Sequence, residues 1–139
     1  MTRHKLILDD DYEFLSFGLS CNIKDFRVAW HLNQSLGFNL KRDYLNVSDR
    51  ENTIHEYSLY KHMDEENHVK YLLINNQSDG IPLVKAYKSF NLLLLVEGNI
   101  QSFDSDEFIQ KLQLIEPIQF AMELDPKAIA KHQFLLFED

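Results

Sequence analysis

Between positions 14 and 21 apolar and polar residues alternate. Leu15, Phe17, Leu19 and Cys21 fall on one side, and Phe14, Ser16, Gly18 and Ser20 on the other. A period of two is the mark of a half-buried strand. A second strand-like run at 5–8 precedes it, joined through Asp9, Asp10 and Asp11, which predicts a hairpin or two neighbouring edge strands. A different pattern holds from Phe90 to Val96. After the turn Asp79-Gly80-Ile81-Pro82, positions 92–96 are apolar without a break. Only a strand covered on both faces tolerates that, so this segment marks the middle of the fold.

Helical spacing dominates 23–36. Phe26, Ala29, Trp30, Asn33 and Leu36 recur at three and four residues, and Ile23, Val28 and Leu32 widen the stripe. Asn22 suits the N-cap, Asp25 the positive end of the helix, and Gly37 the left-handed position after it. So broad a stripe predicts a helix packed on the sheet and touched on one flank by something else. Trp30 is expected to anchor the core. A second helix is predicted over 105–114, with Asp104 capping, Glu107 at the third position, and Phe103 stapling against Phe108.

The remaining segments are shorter. Residues 38–42 predict a short strand and the polar stretch 43–52 a loop. Residues 53–63 and 68–75 predict an interior hairpin around Asp64-Glu65-Glu66-Asn67, with Met63 facing His68, Lys61 facing Lys70, Tyr60 facing Tyr71 and Leu59 facing Leu72. In that register the turn carboxylates would neutralise Lys61 and Lys70. A final strand is expected over 117–124, then a short helical turn entered through Asp125-Pro126. The tail Phe134-Leu135-Leu136-Phe137 is apolar enough to dock, on its own domain or on a partner chain.

Composition narrows the setting. The 139 residues are 45% hydrophobic, ample for one domain with its own core and contrary to disorder. The single cysteine, Cys21, allows no internal disulfide. The apolar run near the N-terminus is too short for a signal peptide, and no stretch approaches the length that spans a bilayer. A cytoplasmic location is the expectation. The net charge of −8 repels phosphate backbones and anionic membranes, so neither nucleic acid nor membrane is expected as a partner. The densest basic cluster along the chain, Lys41-Arg42, is too small for a nucleic-acid footprint.

With these residues in view, the chain resembles the IPExxxVDY family of small bacterial proteins, whose function is uncharacterised. The resemblance rests on Gly18, Ser20, Lys24-Asp25-Phe26-Arg27, Trp30, Asn33, Leu36-Gly37 and Leu40-Lys41-Arg42. It continues in Asp64-Glu65-Glu66-Asn67-His68 and Ile81-Pro82. It implies a shared fold over almost the whole chain. The name-giving motif departs from its pattern: Leu83 stands where a glutamate is expected, and Tyr87-Lys88-Ser89 where Val-Asp-Tyr is expected. Any carboxylate chemistry at that motif would be lost here.

Catalytic sets are not evident. None of the four glycines lies in a phosphate-cradling arrangement, and no G-x-S-x-G elbow occurs. The histidines lack H-x-H or H-x-x-x-H spacing. Asp9-Asp10-Asp11 and Asp104-Ser105-Asp106-Glu107 read as a solvated connection and a helix cap, so no metal or cofactor is expected. Cys21 reads as a buried, inert thiol. The least bland constellation is the polar start of the first helix: Lys24, Asp25 and Arg27 beside Ser20, with Asn33 on the broad side that carries Trp30. It could form a small ligand or anion site, against the plainer reading that Asn33 caps a neighbouring strand.

The expectation is therefore a single α+β domain over 1–139, with a largely antiparallel sheet of five to seven strands and two main helices. The function expected is that of a non-catalytic cytoplasmic adaptor or regulatory module that self-associates as a homodimer and meets an unknown protein partner. The alternative is a small-ligand- or anion-binding protein, or an enzyme, using the polar helix start near Trp30.

Overall fold

A computed structural model of the chain describes residues 14–48 and 51–130, with the side chain of Ala130 left out. In chain order the elements are β1 (Phe14–Cys21), α1 (Asp25–Leu36), β2 (Lys41–Ser48), β3 (Ile54–Asp64) and β4 (Val69–Asn75). The short pair β5 (Gln77–Ser78) and β6 (Ile81–Pro82) and a 3-10 turn at Lys85–Tyr87 follow. Then come β7 (Leu92–Gly98), α2 (Ser105–Gln113), β8 (Ile118–Leu124) and α3 (Pro126–Ala130). The expected N-terminal strand at 5–8, the Asp9-Asp10-Asp11 connection and the apolar tail lie outside the described residues.

Six strands form one antiparallel sheet in the order β2-β3-β4-β7-β1-β8, and β5 with β6 makes a separate two-stranded ribbon. The α+β class and the strand count agree with the sequence. Because β7 and β8 both run antiparallel to β1, they are parallel to each other. Parallel strands need a crossover, and α2 supplies it. By the same counting β1 and β2 are parallel, and α1 carries the chain to the far edge of the sheet.

Both helices lie on one face. Val28, Ala29 and Leu32 of α1 and Phe108 and Leu112 of α2 join Phe17, Leu19, Tyr71, Leu73, Leu94 and Val96 in one buried cluster. The opposite face buries Leu59, Leu72, Ile74, Leu93 and Leu95 beneath Leu83, Val84 and Phe90 of the 76–91 excursion and Ile129 of α3. Hence β7, fourth in the sheet, is sealed on both sides, and Leu92 to Val96 are all buried. The continuous apolar run required this.

Asn76 fastens the 76–91 excursion. Its side chain is fully buried. Its Nδ2 donates to the carbonyls of Tyr87 and Phe90 at 3.0 and 3.1 Å, and its Oδ1 accepts from the Val84 amide at 2.8 Å. Its backbone adds bonds with Asn91 and Leu83. One residue thus satisfies polar groups that would otherwise be orphaned under the sheet. Nearby, Phe90 lies on Gly18, where an added Cβ would come within 2.7 Å of the ring.

Four expectations need correction. First, β1 is an inner strand between β7 and β8, because the excursion and the helices cover both its faces. Second, the polar stretch placed in a loop continues as β2 to Ser48. Only Leu45 and Val47 of its inward side meet the core, so an edge strand with little to bury shows almost no hydrophobic pattern. Third, the β3–β4 register is displaced by two residues: Met63 faces Lys70, His62 faces Tyr71 and Lys61 faces Leu72. His68 adopts φ 56 and belongs to the turn, and the Asp64 side chain closes it by accepting from the Asn67 amide at 3.2 Å. Fourth, Asp64 is engaged there, while Lys61 pairs with Asp43 at 3.6 Å.

Candidate functional site

The first helix begins at Asp25, with Lys24 as an N-cap that makes no side-chain bond. Asp25 Oδ1 accepts from the next amide, Phe26, at 2.9 Å, and the helix ends where Gly37, at φ 71, donates to the Asn33 carbonyl. Between these ends the apolar stripe divides. Val28, Ala29 and Leu32 go into the core, whereas Phe26 is 50% and Trp30 57% exposed. The expectation that Trp30 anchors the core is wrong. On a 3.6-residue period Phe26, Trp30 and Asn33 lie to one side of the buried line, so the aromatic pair occupies a flank.

Asn33 gives that flank its direction. Its Oδ1 accepts from the Leu40 amide at 2.9 Å, and its Nδ2 reaches the Leu40 carbonyl at 3.5 Å. Leu40 immediately precedes β2, so the flank turns toward the β2 edge of the sheet. Asn33 is thereby engaged as a cap on the neighbouring strand.

Along that edge, Arg42 and Tyr44 project on the helix face. The Arg42 guanidinium lies 5.2 Å from the Tyr44 ring centre and 6.0 Å from that of Tyr60, within cation–π range. It also donates to Ser58 Oγ at 3.4 Å. Tyr44 is 47% exposed. Tyr60 is buried, and its hydroxyl and Asp25 Oδ2 both lack a hydrogen-bond partner among the described residues. They still sense each other. Burial first, and then the Asp25 carboxylate, push the Tyr60 hydroxyl up to about 12, against the pull of Arg42. Tyr60 therefore keeps its proton at neutral pH and is a donor available to that carboxylate.

The six residues singled out from the sequence separate in space. Lys24 and Arg27 are exposed and Asp25 is half-buried. The alternation along β1 puts Ser20 with Gly18, on the face away from the helices, so it does not share a surface with Trp30. Sequence reasoning missed Tyr60 as the neighbour of Asp25, with Arg42 and Tyr44 gathered beside Tyr60. Their only signal was cross-strand pairing, Arg42 with Tyr60 and Tyr44 with Ser58, which depends on a strand that carries almost no pattern.

Cys21 is buried, and burial pushes its thiol up to about 11, which leaves it protonated and unreactive near neutral pH. Among the described residues no three His, Cys, Asp or Glu side chains are grouped to hold a metal, and no helix is long and apolar enough to cross a membrane. Compared with known protein families and with curated proteins, the chain matches none.

Proposed function

We propose that this protein is a non-catalytic cytoplasmic adaptor or regulatory module, and that it self-associates through the exposed flank of α1 and the adjoining β2 edge. The observation that carries this reading is the exposure of Phe26 and Trp30 together, on the flank that Asn33 turns toward the β2 edge carrying Arg42 and Tyr44. Trp, Tyr and Arg are the residue types that dominate binding energy at protein interfaces. The chain covers both faces of its sheet with its own segments yet leaves these rings in water. We also propose that it is a divergent member of the IPExxxVDY family, on the residues quoted above.

Light scattering tests the reading: at micromolar concentration the expected mass is twice that of the chain. Trp30 is the single tryptophan, so its emission should shift to the blue as concentration rises. A monomer mass at these concentrations overturns self-association. A dimer whose tryptophan emission ignores concentration places the interface elsewhere.

A second reading has one observation in its favour. Asp25 Oδ2 and the Tyr60 hydroxyl bond to no other described residue and are shut off from water, so a small ligand carrying an amine would reach them only by displacing the polar start of α1. A crystal soak with a primary amine that leaves Asp25 untouched would count against it.

A further inference from the structure

The face of the sheet away from the helices has two halves. Around Leu59, Leu72, Ile74 and Leu93 it lies under the 76–91 excursion and α3. Toward the β3–β4 turn the cover stops and the composition changes. Alternation along the strands places Lys41 and Asp43 of β2, Lys61 and Met63 of β3, Lys70 of β4 and Glu97 of β7 on this open half. Lys41 stands directly opposite Lys61, Met63 opposite Lys70, and Lys70 opposite Glu97.

Like charges facing each other across a ladder are unfavourable, and the protein does little to relieve them. Among the described residues only Lys61 of the three lysines makes an ion pair, with Asp43 at 3.6 Å. Glu97 is the other nearby acid. Burial raises its carboxyl, while Lys70 and Lys61 pull it back down. The cleft in front of these residues holds about 490 Å³ and is lined by Asn39, Lys41, Arg42, Asp43, Lys61, His62, Met63 and Lys70. Three lysines against one acid, Asp43, line it from this face, on a chain whose net charge is −8.

We propose that this cleft binds a small phosphorylated molecule, with the phosphate among the Lys41, Lys61 and Lys70 ammonium groups and the organic part against Met63. The volume falls in the range of small-molecule sites. Lysine ammoniums serve phosphate as point charges from several directions, where arginine would favour flat bidentate partners. Met63, 52% exposed, offers a flexible apolar wall. The overall negative charge does not forbid the binding: at physiological ionic strength charges beyond about 8 Å are largely screened, so a small anion experiences the local lysines. A long polyanion would also meet the acidic surroundings. This site lies on the opposite face from the α1 flank and stands or falls independently of it.

The test is a titration of isotope-labelled protein with inorganic pyrophosphate, followed by amide chemical shifts. Shifts confined to 39–43, 61–63 and 70 are expected. Affinity should weaken at least about tenfold in the Lys41→Ala/Lys70→Ala variant and on raising the salt. It should not change in a Lys85→Ala/Lys88→Ala control. The proposal is overturned if no shift occurs at about 1 mM pyrophosphate, if shifts scatter over Lys85, Lys88 and Lys111, or if the double variant binds as well as the parent. Equal binding of citrate would overturn the choice of phosphate.

Discussion

The two long helices share one face of the sheet, yet the fold uses them differently. In α2 the large apolar side chains within the helix serve the domain, and only Leu114 at its C-cap stays in solvent. Asp104 accepts from the Glu107 amide at 3.0 Å, Phe103 and Phe108 meet with ring centres 5.1 Å apart, Phe108 packs edge-on to Phe17, and Glu107 pairs with Lys111 at 3.7 Å. In α1 the inner line is equally well buried, but the start has no side-chain cap and two large rings stay in solvent. Exposed aromatics cost solubility and contribute little to a monomer, which is why the proposed self-association is placed on this flank. A wide amphipathic stripe can thus hold two surfaces, one buried in the core and one left in solvent.

Substitutions in the two helices test this contrast. The largest effects should be alike in both helices: Leu32→Ala and Leu112→Ala, each removing a fully buried side chain, are expected to cost about 2–5 kcal/mol in denaturant unfolding. A much smaller loss at Leu32 would mean that α1 is only loosely docked. Next, Asp104→Ala should cost about 1 kcal/mol through the lost cap, whereas Lys24→Ala should be silent. Supplying α1 with the missing cap by Lys24→Ser should raise stability by about 0.5–1 kcal/mol, read from the unfolding midpoint. Smallest of all in stability is the exposed flank: Phe26→Ala and Trp30→Ala should stay within about 0.5 kcal/mol of the parent while lowering the mass seen by light scattering. If either destabilises the chain by as much as Leu32→Ala does, the flank belongs to the core after all.

Much of the frame could be read in the chain because its signals are local. The unbroken run from Leu92 to Val96 required cover on both faces, and Asp104, Glu107 and Phe103 announced α2 within five residues. The left-handed end of α1 at Gly37 was equally plain. What escaped notice depends on distant residues. Trp30 follows the same spacing as Ala29 and Leu32, and spacing alone cannot say where the sheet ends beneath a helix. The β3–β4 register turned on the backbone of His68 and the side chain of Asp64, which move the turn one residue further along and every pairing by two. Nothing in the chain marks Asn76, since its partners Val84, Tyr87 and Phe90 become partners only when the excursion folds over the sheet. For the candidate sites the gap is wider. Lys41, Lys61 and Lys70 lie far apart along the chain, and only three paired strands bring them to one cleft.

The seat of Phe90 on Gly18 ties two positions from opposite halves of the chain into one choice. Any side chain at 18 would evict the ring, and a small residue at 90 would leave a hollow over β1 beside the rings of Tyr87 and Phe120. Drift at either position is therefore free only when the other moves with it. Among diverged descendants of this fold the two should change as a pair: glycine with an aromatic in one lineage, a larger residue with a smaller one in another.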